Sequence, residues 1–155
     1  MQLTNFLAIA VLATAQAQTF KDKELPKMQN SALREISGLS RSSRADVVWA
    51  HNDSGDKARI FAVDTKTGNT IAEVRLKDTR ARDFEDMAFN DGQVFVGDIG
   101  DNGRRRSYIS IYRFQEPLTT SSNTQVRADR FKLKYPDGRE NAEALMVDPR
   151  TGDVF

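Results

Sequence analysis

From Leu33 onward the chain alternates short apolar runs with turns rich in Gly, Asp and Asn. Glu35-Ile36-Ser37-Gly38-Leu39 predicts a strand and residues 41–46 a polar turn. Val47-Val48-Trp49-Ala50 predicts a second strand, which runs into His51-Asn52-Asp53-Ser54-Gly55-Asp56. Ile60-Phe61-Ala62-Val63 and residues 71–76 flank Asp64-Thr65-Lys66-Thr67-Gly68-Asn69 and predict a further hairpin. The pattern then restarts. Met87-Ala88-Phe89 and Val94-Phe95-Val96 are joined by an Asn90-Asp91-Gly92 turn and followed by Gly97-Asp98-Ile99-Gly100-Asp101-Asn102. A strand over 108–114, a Thr/Ser-rich connection over 119–124 and an alternating, half-buried strand over 130–135 complete this second unit. A third unit opens with residues 143–147, a turn over 148–152, and Val154-Phe155.

Side by side, Glu35, Glu85 and Glu143 each stand four residues before an apolar residue (Leu39, Phe89, Val147). A turn and a Val-aromatic pair follow: Val48-Trp49, Val94-Phe95 and Val154-Phe155. Repeats of about 50 residues, each of four short strands, predict an all-β fold: a β-propeller with about two and a half blades present. A propeller ring takes roughly four or more blades, so the chain is expected to be the N-terminal fragment of a longer protein. A succession of unrelated hairpins in a β-sandwich is the alternative.

Composition adds location. Residues 3–15 form a short apolar run ending in Ala15-Gln16-Ala17, a small-x-small pattern that predicts a secretory signal peptide over 1–17, cleaved before Gln18. Residues 18–32 read as an N-terminal extension and 33–155 as the partial propeller. After cleavage no membrane span is expected, and a formal net charge of +1 gives no reason to expect nucleic acid as a partner. The chain has no cysteine, so a secreted domain of this sequence relies on its packed core or a bound ion. Asn52-Asp53-Ser54 is a sequon, with Asn52 the expected glycosylation site.

The candidate chemistry is acidic. A hairpin joins its outer ends, which places Asp83, Glu85 and Asp86 near Asp98, Asp101 and Asn102; the candidate metal ligands are Asp53, Glu85, Asp86, Asp98, Asp101 and Asn102, against the plainer reading of Asx-turn capping and solvated loops. Calcium takes six to eight oxygens, which loops of Asp, Asn and Gly supply, although neither acidic loop has EF-hand spacing. The repeated glutamates read either as architectural residues facing a neighbouring blade or as lining of a metal-holding channel. Arg104, Arg105 and Arg106 are candidate clamps for phosphate or sulfate, against the plainer reading of a solvated loop. His51, the only histidine, reads as a turn residue bonded to a carboxylate or as a general base. Trp49 and Phe95 read as core. The chain lacks a Gly-x-Ser-x-Gly elbow, a cysteine nucleophile and a phosphate-binding Gly-rich loop.

Taken together, Ile36-Ser37-Gly38-Leu39, Trp49-Ala50-His51-Asn52-Asp53-Ser54-Gly55, Asp83-Phe84-Glu85-Asp86-Met87-Ala88, Gly97-Asp98-Ile99-Gly100-Asp101-Asn102 and Asn141-Ala142-Glu143-Ala144-Leu145 resemble a family of secreted β-propellers, loosely associated with phytase-like and esterase-like propellers. The chain is also similar in kind to components of the organic matrix of mollusc shells. The resemblance implies a secreted, calcium-associated propeller whose partners are extracellular matrix components or a mineral surface. The alternatives are a metal-dependent phosphoesterase acting on phosphate esters and a module that recognises peptide or glycan.

Overall fold

In the computed structural model, which describes residues 24–155, the apolar runs form nine strands and no helix among the described residues. The expected signal peptide lies outside the described residues, as does the start of the 18–32 extension. No helix among the described residues is long and apolar enough to cross a membrane.

The first unit consists of β1 (Ile36–Arg41), β2 (Val47–Asn52), β3 (Arg59–Asp64) and β4 (Thr70–Leu76), an antiparallel meander. The second unit consists of β5 (Phe84–Asn90), β6 (Gln93–Asp98), β7 (Ile109–Gln115) and β9 (Asp129–Leu133), with β8 (Thr124–Val126) interposed before its last strand. The expected four-strand order is thus present twice, in two sheets, neither of them closed.

β8 departs from the sequence reading, which has a connection there. It crosses back to the first sheet and pairs with β4 in parallel, Val74 with Thr124 and Leu76 with Val126. Its short Thr-Gln-Val run covers the edge of β4, whose backbone groups would otherwise be open to another strand.

The alternation of the strands explains the packing. Trp49, Ile60, Ala62, Ala72, Val74 and Leu76 from the first sheet form one core with Phe84, Met87, Val94, Val96, Tyr112 and Phe114 from the second. Each large apolar side chain removed from water here contributes about 1.5–3 kcal/mol. Ala88, Phe95, Ile109 and Ile111 face the opposite way and pack with Leu145 of the third unit, whose hairpin is held by paired Met146 and Phe155 and by a Val147–Val154 bridge. The second sheet therefore has apolar packing on both faces over β5, β6 and β7, whereas β9, expected to be half-buried, is exposed along its length, Phe131 and Leu133 included. Trp49 and Phe95 lie in these cores, as their strand positions predict. Glu116, just after β7, ties the units further by accepting hydrogen bonds from Trp49 Nε1 at 2.7 Å and Ser42 Oγ at 2.5 Å.

Strand pairing shifts the sequence repeat by two residues in the first unit. Arg41 pairs with Val48, Phe89 with Val94 and Val147 with Val154. Aligned on these pairs, Ser37, and not Glu35, stands where Glu85 and Glu143 stand. The turn between β1 and β2 is two residues longer than the Asn-Asp-Gly turn between β5 and β6, and the spacing in sequence conceals the difference. Both hairpins carry a bulge at this position, between Ile36 and Gly38 and between Phe84 and Asp86.

Candidate metal centre

The bulges decide what converges. A bulge leaves one residue unpaired and re-aims its side chain. In the second unit that residue is Glu85, 4% exposed, next to β1, where Ser37 Oγ donates to the Glu85 carbonyl at 2.7 Å. Asp83 enters β5 just ahead of it, its N–H donating to Asp98 Oδ1 at 3.0 Å. Asp53 follows β2 and is fixed by its N–H donating to the Glu35 carbonyl at 2.8 Å. Carboxylate oxygens of Asp53, Asp83 and Glu85 thereby lie within 4.8 Å of one another.

Gly100 makes room for them. A Cβ at this position would overlap Glu85 Oε1 and Asp83 Oδ2, so the two carboxylates rest on bare backbone that any other residue would cover. None of the three acids is in an ion pair among the described residues.

Electrostatics follow from this crowding. Burial, a hydrogen bond with the Glu143 carboxyl, and the negative charges of Asp53, Glu143 and Asp83 push the Glu85 pKa up to about 7 from its ordinary 4.5. Asp83 is raised too, by burial first and then by Asp53, with Arg106 offsetting part of the effect. Carboxylates that resist ionising together are groups a divalent cation would relieve, and an all-oxygen set suits a hard cation. The cluster can therefore hold a metal ion; its oxygens alone do not select calcium.

The other predicted ligands are elsewhere. Asp98 is fully buried and paired with Arg106 Nη1 at 2.9 Å. Asp86 accepts from the N–H of Leu145 at 2.8 Å and so anchors the third unit. Asp101 accepts from the N–H groups of Arg105 at 2.9 Å and Arg106 at 2.7 Å, closing its own loop. Burial would raise the Asp101 pKa, but those two donors and the Arg106 charge outweigh it and hold the carboxyl below its ordinary range. Asn102 is exposed and touches only Asn141 Nδ2, at 3.4 Å.

Asp98 and Asn52 turn out to be equivalent, since Phe84 pairs with Asp98 as Ile36 pairs with Asn52. Asn52 Oδ1 accepts from the N–H of Arg34 at 3.1 Å, as Asp98 Oδ1 accepts from that of Asp83; each side chain caps the chain entering its unit. The Asn52 amide is buried and also donates to the Ala32 carbonyl at 2.7 Å and Asp56 Oδ2 at 2.8 Å. A glycan on that nitrogen would displace both contacts, which leaves the sequon without the exposed turn expected for it.

The three arginines do not form one clamp. Arg106 is buried against Asp98 and also donates to the Gly100 carbonyl at 2.7 Å, and Arg104 pairs with Glu140 at 3.2 Å; Arg105 alone keeps its guanidinium out of an ion pair among the described residues. His51 lies within β2, not in a turn. It is fully buried, edge-on to Phe84, with Nδ1 2.9 Å from the Asn52 carbonyl and Nε2 beneath Gly38. Burial lowers its pKa, with the Asn52 and Asp86 carbonyls only partly offsetting this, so it is a neutral core residue at pH 7 and not an exposed base.

Of the six ligands expected from the sequence, Asp53 and Glu85 lie in the cluster, and Asp83, not among the six, completes it; the signal for Asp83 is its place at the mouth of β5, two residues before the bulge. Comparison with protein families, curated proteins and solved structures finds no match to this chain.

Proposed function

We propose that this chain is a calcium-associated, propeller-type module of the extracellular space, which serves as a binding or matrix component with Asp53, Asp83 and Glu85 holding the ion. The observation that carries the reading is the convergence of three carboxylates, contributed by both units, over the bare backbone of Gly100. An ion at that point links the end of β2 to the start of β5, so its role is to lock one unit to the next. The propeller geometry is supported by two successive four-stranded units stacked face to face and by a third hairpin packed on the outer face of the second. Secretion rests on the apolar N-terminal run and its Ala-Gln-Ala end. A folded, near-neutral module of this kind would attach to matrix components or a mineral surface through its faces, with calcium supplying rigidity. Phosphoester hydrolysis gains little from the loop arginines, two of which are already engaged.

Calcium titration followed by thermal melting tests the site. A ligand that binds only the folded state at a hundred times its Kd stabilises by about 2.7 kcal/mol. A rise in Tm with calcium, smaller with magnesium and lost in Glu85→Gln, is expected. No shift at millimolar calcium overturns the reading.

A further inference from the structure

We propose a second, separate site: a basic cleft that binds a chain carrying closely spaced sulfate or phosphate esters. The cleft, about 740 Å³, lies on the β4–β5 connection, the β8–β9 connection and the start of β7; neither Arg104 nor Arg105 lines it, although Arg105 shares an adjoining hollow with Arg82. Lys77, Arg80, Arg82, Arg127 and Arg130 line it, against the two acids Asp78 and Asp129.

The fold brings these cations together. Parallel pairing of Leu76 with Val126, continued by the Lys77 N–H donating to the Val126 carbonyl at 2.8 Å, sets Lys77 and Arg127 on adjoining backbones as they leave β4 and β8. Asp78, with φ of 55°, turns the chain sharply so that Arg80 and Arg82 return along the same cleft. None of the five cations is in an ion pair among the described residues, and Asp129 is taken by Arg113 at 3.0 Å. In a chain whose net charge is only +1, such a concentration of unpaired charge raises the energy of the free protein and is relieved by an anion.

Arg130 gives the cleft a preorganised donor. Its guanidinium lies 5.4 Å from the Tyr108 ring centroid and 5.6 Å from that of Tyr112, while Nε and Nη2 each donate to Ser110 Oγ at 3.1 Å. Two of its five N–H donors are so used, and the remainder match the terminal oxygens of a tetrahedral ester. Lys132, with Nζ 4.8 Å from the Tyr108 centroid, extends the positive surface along β9. Because the cations come from two backbone segments, 77–82 and 127–130, the charge is spread along the cleft, which favours several linked ester groups over a single ion. Four of the five are arginine, whose planar forks suit these oxygens better than lysine does.

Binding of a fluorescein-labelled, sulfated dextran oligosaccharide and of a polyphosphate of matched charge to the full chain, followed by anisotropy at 0.15 M salt, tests the site; the tighter of the two names the ester. Arg80, Arg82 and Arg127 are exposed and make no hydrogen bond from their side chains, so the triple Ser variant is expected to fold with unchanged circular dichroism. It should weaken binding by roughly 30-fold or more and flatten the salt dependence. Arg104→Ser with Arg105→Ser should stay within about twofold of wild type. The same result with and without calcium separates this site from the metal centre. Failure of both ligands to bind, an equal loss in the Arg104/Arg105 pair, or equal affinity for poly-glutamate of matched charge overturns the proposal.

Discussion

The hairpin ends of the two units are built alike and carry different residues. At the bulge Ser37 stands in one and Glu85 in the other; at the capping position a neutral Asn52 stands in one and a charged Asp98 in the other. The scaffold therefore needs neither the glutamate nor the charge. Asp98 brought a charge into the interior, and Arg106, 7% exposed, had to accompany it. Glu85 brought another, and no cation accompanies it among the described residues. A buried acid whose counter-charge is built in is architecture; one whose counter-charge is missing has room for an ion.

The largest effect should come from breaking the built-in pair. Arg106→Ala leaves Asp98 charged, buried and unpaired, at a cost of about 3–5 kcal/mol in urea unfolding. If Asn52 shows how the cap works without charge, then Asp98→Asn combined with Arg106→Met should recover most of that loss. A double variant as unstable as the single one would show the two caps to be different devices.

Gly38 tests the first unit alone. A Cβ there would overlap His51 Nε2 and the edge of its ring, which is fully buried and cannot swing away. Gly38→Ala should cost about 1–3 kcal/mol as overpacking and leave the calcium response intact.

The charge at Glu85 is read by pH. Its folded-state pKa, near 7, lies above its ordinary 4.5, so the folded state holds the proton more tightly than the unfolded chain does. Its contribution is therefore complete below about pH 4.5 and is lost as pH rises towards 7, by up to about 3 kcal/mol without metal. Glu85→Gln should melt higher than wild type at pH 8 in chelator and lower than wild type in calcium. Glu116 has the opposite character: burial would raise it, but Ser42, Ser43 and Trp49 outweigh that and hold its pKa low, so its contribution disappears only as the solution becomes acidic. The difference between wild type and Glu85→Gln isolates the cluster from such groups.

Alternation and turn chemistry made the strands legible in the sequence. The strands expected in the first two units are present, the two expected in the third reduce to a Val147–Val154 bridge, and Val48-Trp49, Val94-Phe95 and Val154-Phe155 mark equivalent positions. β8 was hidden because a three-residue polar strand has no period to detect, and its partner is 50 residues away. The glutamate repeat misled by two residues in the first unit because only pairing reveals turn length. Three of the expected ligands are otherwise engaged for one reason: Asp86, Asp98 and Asp101 accept from backbone N–H groups, a capping use that sequence offers as an alternative but cannot assign to particular residues. The ligand set was half legible, since hairpin closure predicts that ends meet but not which side chains a bulge turns inward.

Gly100 gives the smallest change in stability and the most selective one. Its backbone is not in the left-handed region, so alanine adds no conformational strain, and the atoms its Cβ would meet are the ends of two flexible side chains. Glu85 and Asp83 can move aside, which limits the cost of Gly100→Ala in chelator to about 1 kcal/mol or less. The same movement pulls two of three ligands apart, so the rise in Tm with calcium should vanish although no acidic residue has been altered. A variant that melts like wild type and still responds fully to calcium would show that the ion, if bound, is held somewhere other than over this glycine.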